Sequence, residues 1–151
     1  MTFKLSTRSL LRLEGVDERL TAAVHYAISV TKVDFGVTCG LRSIEEQREL
    51  VATGASQTMN SKHIGGYAVD LVAYIGPRVS WELNLYDDIA DAMKEAASAV
   101  GVPLRWGAAW HIDDIRKWDD TMEAAMNAYI DLRRSQGRRP FIDAPHFEIS
   151  E

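Results

Sequence analysis

The sequence predicts an α+β fold, a single domain in which a small, mostly antiparallel sheet packs against several helices. Three observations lead there. Four segments carry apolar residues at helical spacing and four short segments read as strands, but the two kinds do not alternate as in a doubly wound sheet. At 151 residues the chain is long enough to bury a sizeable core. It contains neither an internal repeat nor a low-complexity linker, so residues 1–151 are expected to form one domain.

The elements follow in order. Asp17 is placed to cap a helix from Glu18 to about Thr31, with Leu20, Val24, Ala27 and Ile28 on one face. Val33 to Thr38 reads as a short strand. Ser43-Ile44-Glu45-Glu46 matches a capping box and opens a helix to about Ala52, which Gly54 ends. Ala55 to Lys62 is polar and predicts a loop. Tyr67 to Ala73 reads as a strand bounded by Gly66 and Gly76-Pro77. Asn84 to Val100 is strongly amphipathic through Ile89, Ala92, Met93, Ala96 and Val100, and Gly101 and Pro103 stop it. Leu104 to Trp106 suggests a short strand. Asp119 or Asp120 is expected to cap a last helix to about Arg134, closed by Gly137, and His146 to Ile149 is expected to be a terminal strand.

Composition excludes several classes. The formal net charge of -5 gives no sign of general nucleic-acid binding. Cys39 is the only cysteine, which rules out an intrachain disulfide and a cysteine-based zinc finger. Met1 to Leu13 alternates polar and apolar residues without an apolar core, so no secretory signal is expected. No apolar run approaches the roughly 20 residues that span a bilayer. Arg133, Arg134, Arg138 and Arg139 cluster around the end of the last helix. They suit either the negative end of the helix dipole or a patch for an anionic envelope.

The segment from Ser61 to Leu71 carries the most chemistry. It sets His63 and Asp70 on either side of Gly65-Gly66. Side chains alternate along a strand, so Ala68, Asp70 and Val72 share one face and Tyr67, Val69 and Leu71 the other. A carboxylate among small apolar neighbours needs a partner, and a metal ion is one. An arginine or a backbone turn is another. Near the C-terminus, Asp143-Ala144-Pro145-His146 adds a second histidine with an acid three residues before it. Pro145 disfavours a helix there, so the segment can bend and aim Asp143 and His146 at one point.

His63, Asp70 and His146 would then give a three-ligand zinc site with a fourth position for water, and Asp143 a general base. Arg42, between the first strand and the Ser43 helix, could hold a substrate carboxylate or steady an oxyanion. Each residue alone also has an ordinary reading. His63 suits a solvated loop, and Asp143 an Asx turn. Arg42 suits an ion pair with Glu45 or Glu46, and His146 the edge of the core. Glu148 shares a strand face with His146 and could orient its imidazole, but its ordinary reading is a position facing solvent.

These segments together resemble a known family. Ser61-x-His63-x-x-Gly66-x-Ala68-Val69-Asp70-Leu71 and Asp143-x-Pro145-His146-Phe147-Glu148 are similar to the motifs of zinc D-alanyl-D-alanine carboxypeptidases and L-alanyl-D-glutamate endopeptidases. Gly40-Leu41-Arg42-Ser43 with Gln47, Leu104-Arg105-Trp106-Gly107 with Trp110, and Gly54 to Ser61 bring the likeness closest to phage endolysins of the L-alanyl-D-glutamate type.

The resemblance implies one Zn2+ per chain on His63, Asp70 and His146, with Asp143 as base and Arg42 on the substrate. It implies bacterial peptidoglycan as partner and a monomer that inserts in no membrane. Synthesis would occur in the host cytoplasm, with action on the wall after release. The alternatives are a D-Ala-D-Ala carboxypeptidase or dipeptidase, or a non-catalytic zinc-bearing wall-binding module. The chain departs from the family at Ala108-Ala109, where an acid often precedes the second tryptophan, and at Tyr67, where histidine is common.

Overall fold

A computed structural model describes residues 2–56 and 58–151. Gln57, in the predicted loop, and Met1 lie outside the described residues. The elements run α1 (Thr7–Arg12), α2 (Glu18–Val30), β1 (Asp34–Cys39), α3 (Ile44–Ala52), β2 (Ala68–Ile75) and β3 (Arg78–Ser80). They continue with α4 (Leu83–Val100), β4 (Leu104–Trp106), a 3-10 turn (Ile115–Lys117), α5 (Met122–Ser135) and β5 (His146–Ile149).

The sheet is antiparallel, in the order β1-β2-β5-β4, with β3 also paired to β2. β5 pairs with the first half of β2 and β3 with its end. The α+β class read from the sequence is the class observed. Val69, Leu71 and Ala73 of β2 join Phe35 and Val37 of β1 in a core with Leu20, Val24 and Ala27 of α2 and Ile89, Met93 and Ala96 of α4. The alternation along β2 leaves Asp70 on the opposite face. Tyr67 stands just ahead of the strand and stays half exposed.

Most boundaries obey the predicted signals. The Asp17 carboxylate accepts from Arg19 N at 2.9 Å, both halves of the Ser43–Glu46 capping box are formed, and Gly101 ends α4 in the left-handed conformation. Three features differ. The cap of α5 is Thr121, whose hydroxyl accepts from Ala124 N at 3.2 Å, rather than Asp119 or Asp120. The short helix α1 caps itself with Ser6 and covers the outer edge of β1, where Val37 N donates to Ser9 Oγ at 2.9 Å and Arg12 Nη1 donates to Val37 O at 3.0 Å. Gly76-Pro77 bounds β2 as expected but turns the chain through a hairpin into β3, a strand that the sequence does not predict. At the end of α5, Arg133 Nε donates to Arg139 O at 3.2 Å, so part of the arginine cluster closes the helix.

Candidate metal centre

Two strands and a turn bring together residues that are far apart in sequence. Asp70 of β2 lies directly across from His146 of β5 and next to Cys39 at the end of β1. His63 stands in the turn ahead of β2. That turn is tied to the loop after β1 by Arg42 N donating to His63 O at 2.9 Å. Gly66 closes it with φ +81, and a side chain there would drive into Gly15 O. Only glycine meets both demands.

The two imidazoles converge on one carboxylate. His63 Nε2 lies 3.3 Å from Asp70 Oδ2, and His146 Nδ1 lies 3.3 Å from Asp70 Oδ1. The ring centroids are 5.2 Å apart. Each outward-facing nitrogen has its own partner: His63 Nδ1 meets Gly40 O at 2.9 Å, and His146 Nε2 meets Glu148 Oε1 at 2.8 Å. This arrangement fixes ring orientation and leaves the inner nitrogens free to ligate, as in metal-binding histidines.

Two imidazoles and a carboxylate are donors that suit a metal such as zinc, and Asp70 is shared by two groups of potential ligands, one holding His63 and the other His146. Asp143 belongs to the same cluster: one ligand atom each of Asp70, Asp143 and His146 lie within 4.8 Å of one another. Cys39, His63 and Asp70 form a second such group, which the sequence reading did not foresee.

The β4–β5 connection positions Asp143. Gly107 N donates to His146 O at 2.8 Å, Asp143 N donates to Gly107 O at 2.7 Å, and Trp106 Nε1 donates to Ala144 O at 2.7 Å. A Cβ on Gly107 would lie 2.2 Å from Asp143 O, so glycine permits the approach. His146 N donates to the backbone Asp143 O at 3.0 Å, which bends the segment without an Asx turn.

Arg42 makes no ion pair with Glu45 or Glu46. Its Nη1 donates to Gln47 Oε1 at 2.7 Å and its Nη2 to Cys39 Sγ at 3.1 Å. Gln47 is fully buried and in turn donates to Ser56 Oγ and Thr58 O. The guanidinium is therefore held in a fixed plane on the His63 side of the cluster. Glu148, expected at the surface, is instead largely buried against His146. The alternation along a strand sets Glu148 on the same face as His146, two residues back, but does not show whether that face is covered.

Electrostatics couple the group. Burial disfavours the charged imidazole of His63, but hydrogen bonds and charge from Asp70 and Cys39 overcome it and raise the pKa to about 10. Burial acts likewise on His146, and Asp70 with Glu148 raise it to about 9. Asp70 opposes its own burial penalty through the two histidines and is held well below the usual carboxylate range. Asp143 is pushed up, first by burial and then by the charge of Asp70. Burial pushes the Cys39 thiol up, but His63 and Arg42 outweigh it and bring it down.

Comparisons with known proteins identify the family of this chain. A family model described as phage L-alanyl-D-glutamate peptidase matches residues 1–150. The L-alanyl-D-glutamate peptidase of Escherichia phage T5 is 30% identical over 115 residues, covering 74% of this chain and 84% of that protein. The peptidase of the same name from Listeria phage A118 is 29% identical over 113 residues, 73% of this chain but 39% of that longer protein. The crystal structure of the Serratia marcescens L-Ala D-Glu endopeptidase ChiX superposes with a TM-score of 0.70 at 33% identity, covering 97% of this chain and 90% of that one. With the family model spanning nearly its whole length, this chain belongs to the phage L-alanyl-D-glutamate peptidase family.

Proposed function

We propose that this chain is a zinc-dependent peptidoglycan endopeptidase that hydrolyses the bond between L-alanine and D-glutamate in stem peptides. His63, Asp70 and His146 would hold the ion, Asp143 would serve as base, and Arg42 would bind the substrate. The convergence of two tethered imidazoles on Asp70, with Asp143 in the same cluster, carries the proposal. A bound Zn2+ supplies a Lewis acid for the scissile carbonyl and lowers the pKa of its water.

The protein's own groups do the rest. Asp143, whose pKa is raised by burial and by Asp70, takes the proton of the attacking water and passes it to the departing D-glutamyl amine. Arg42, held flat by Gln47 and Cys39, presents its free N–H groups to a substrate carboxylate or to the developing oxyanion. Glu148 and Gly40 O hold the two imidazoles in the ligating tautomer.

Two measurements test this together. Mass spectrometry of digested peptidoglycan should show peptides that begin with D-glutamate and glycan strands that keep L-alanine. Loss of only a terminal D-alanine would overturn the bond assignment in favour of a D,D-carboxypeptidase. Metal analysis should find one zinc per chain, lost in His63→Ala and in His146→Ala. Full zinc retention in both variants would overturn the ligand set, and zinc without any bond cleavage would point to a wall-binding module.

A further inference from the structure

A row of aromatic rings leads from the metal centre to solvent. Trp110 tilts over His146, with ring centroids 5.5 Å apart at 32°. Phe141 stacks on Trp110 at 6.1 Å and 25°. Phe141 is 60% exposed and stands two residues before Asp143. The Arg105 guanidinium lies 5.7 Å from the Trp110 ring centre and donates to Trp110 O, which holds the indole in place. Folding does not account for this row. Among the described residues the buried Trp110 Nε1 has no hydrogen-bond partner, an arrangement that stability disfavours. An aromatic ring open to water gains little by burial.

The row and Arg42 occupy opposite ends of the cluster. Arg42 sits beside Cys39 and His63, and the rings sit beside His146. If Arg42 takes the carboxylate of the D-glutamyl side, the amino side of the scissile bond runs toward Trp110 and Phe141. In peptidoglycan that side is short. L-Alanine is amide-linked to the lactyl group of muramic acid, so two peptide-sized links, about 7 Å when extended, separate the scissile carbonyl from a pyranose ring. The row of rings reaches outward on the same scale. A pyranose presents a face of C–H groups that stacks on aromatic rings through dispersion and weak C–H contacts.

We propose that Phe141, backed by Trp110, is a subsite for the muramyl sugar, so that the enzyme reads the glycan attached to L-alanine as well as the peptide bond. This rests on the L-alanyl-D-glutamate reading above. The glycan would add binding energy on the amino side of the cut and orient the stem peptide over Asp143.

Two soluble substrates test it: a stem peptide with an acetylated N-terminal L-alanine, and the same peptide carried on N-acetylmuramic acid. The parent enzyme should show a kcat/KM about 3- to 10-fold higher on the muramyl peptide, mainly through KM, as a single stacked ring would supply. Phe141→Ala should lose that advantage while cleaving the acetylated peptide as the parent does, and Phe141→Trp should keep it. Because Phe141 is mostly exposed, Phe141→Ala should melt like the parent, and thermal unfolding checks this. Equal parent rates on both substrates, or an equal loss on both in Phe141→Ala, would overturn the subsite. The acetylated peptide separates the two levels: if the parent cleaves it at the L-alanyl-D-glutamate bond, the peptidase reading stands whatever happens to the subsite. If the parent cleaves neither substrate at that bond, both fall.

Discussion

Asp70 is the residue on which the site turns, because both imidazoles point at it and nothing else on its strand face is charged. Its need for partners was legible from sequence, since an acid between Ala68/Val69 and Leu71/Val72 must find one. The place of Asp143 beside His146 was legible only through its spacing, and the proposed role as base is separable from metal binding. Asp143→Asn is expected to keep the zinc and lose wall lysis by roughly 100-fold or more, the scale of a lost general base. Metal analysis beside a turbidity assay checks it, and near-parent lysis with intact zinc would assign the proton transfer elsewhere. Arg42→Lys is expected to lower kcat/KM about 10-fold or more despite the retained charge. An ammonium cannot donate to Gln47 Oε1 and Cys39 Sγ and still present a planar fork. Kinetics of Arg42→Lys matching the parent would return this residue to a structural role. Cys39 was illegible and Glu148 only half legible, for different reasons. A lone cysteine carries no spacing signal, and the alternation that sets Glu148 beside His146 does not show that this face is closed to solvent.

At the scale of elements, the helices were the most legible part of the chain, because capping boxes and apolar stripes are local. The misses are elements whose reason for forming is not local. Helix α1 has one turn and a half and forms against the edge of β1, and β3 has three residues and forms only as the return of a hairpin. Thr121 was passed over as cap in favour of two aspartates beside it, although its hydroxyl sits at the right distance from Ala124 N. The β4–β5 connection shows the other side of the same lesson. Trp106 and Gly107 carry no catalytic chemistry, yet they place Asp143 and His146 through two backbone hydrogen bonds and one from the indole. Gly107→Ala is therefore expected to cost about 1–3 kcal/mol, since its methyl group would meet backbone rather than a side chain that can swing away. It should lower the melting temperature by several degrees and weaken zinc retention at the same time. Thermal unfolding with and without a chelator would show both effects, and a variant that melts and holds zinc like the parent would mean that the connection can shift freely.

For the molecule as a whole, the fold joins residues 76 positions apart into one charged cluster, and no spacing rule in the sequence could have measured that closure. The cluster ties stability to pH in a direction opposite to the usual acid unfolding. In protein stripped of metal, His63 and His146 titrate at about 10 and about 9 rather than near 6.5, because Asp70 favours their charged forms more than burial opposes them. The folded state then binds more protons than the unfolded state between those limits. The contribution is fully present below about pH 6.5 and is lost as the pH rises through the folded values. Zinc requires the same imidazoles neutral, so its binding near pH 7 should release about two protons and strengthen as the pH rises. Chelator-treated protein should therefore melt progressively lower from pH 6.5 to pH 9.5, and zinc-loaded protein should separate from it by a widening gap. Calorimetric zinc titrations in two buffers of different ionisation enthalpy would count the protons. A stripped protein whose melting temperature is flat across that range, with no protons released on zinc addition, would mean that the imidazoles are already neutral and that Asp70 is balanced by some other charge.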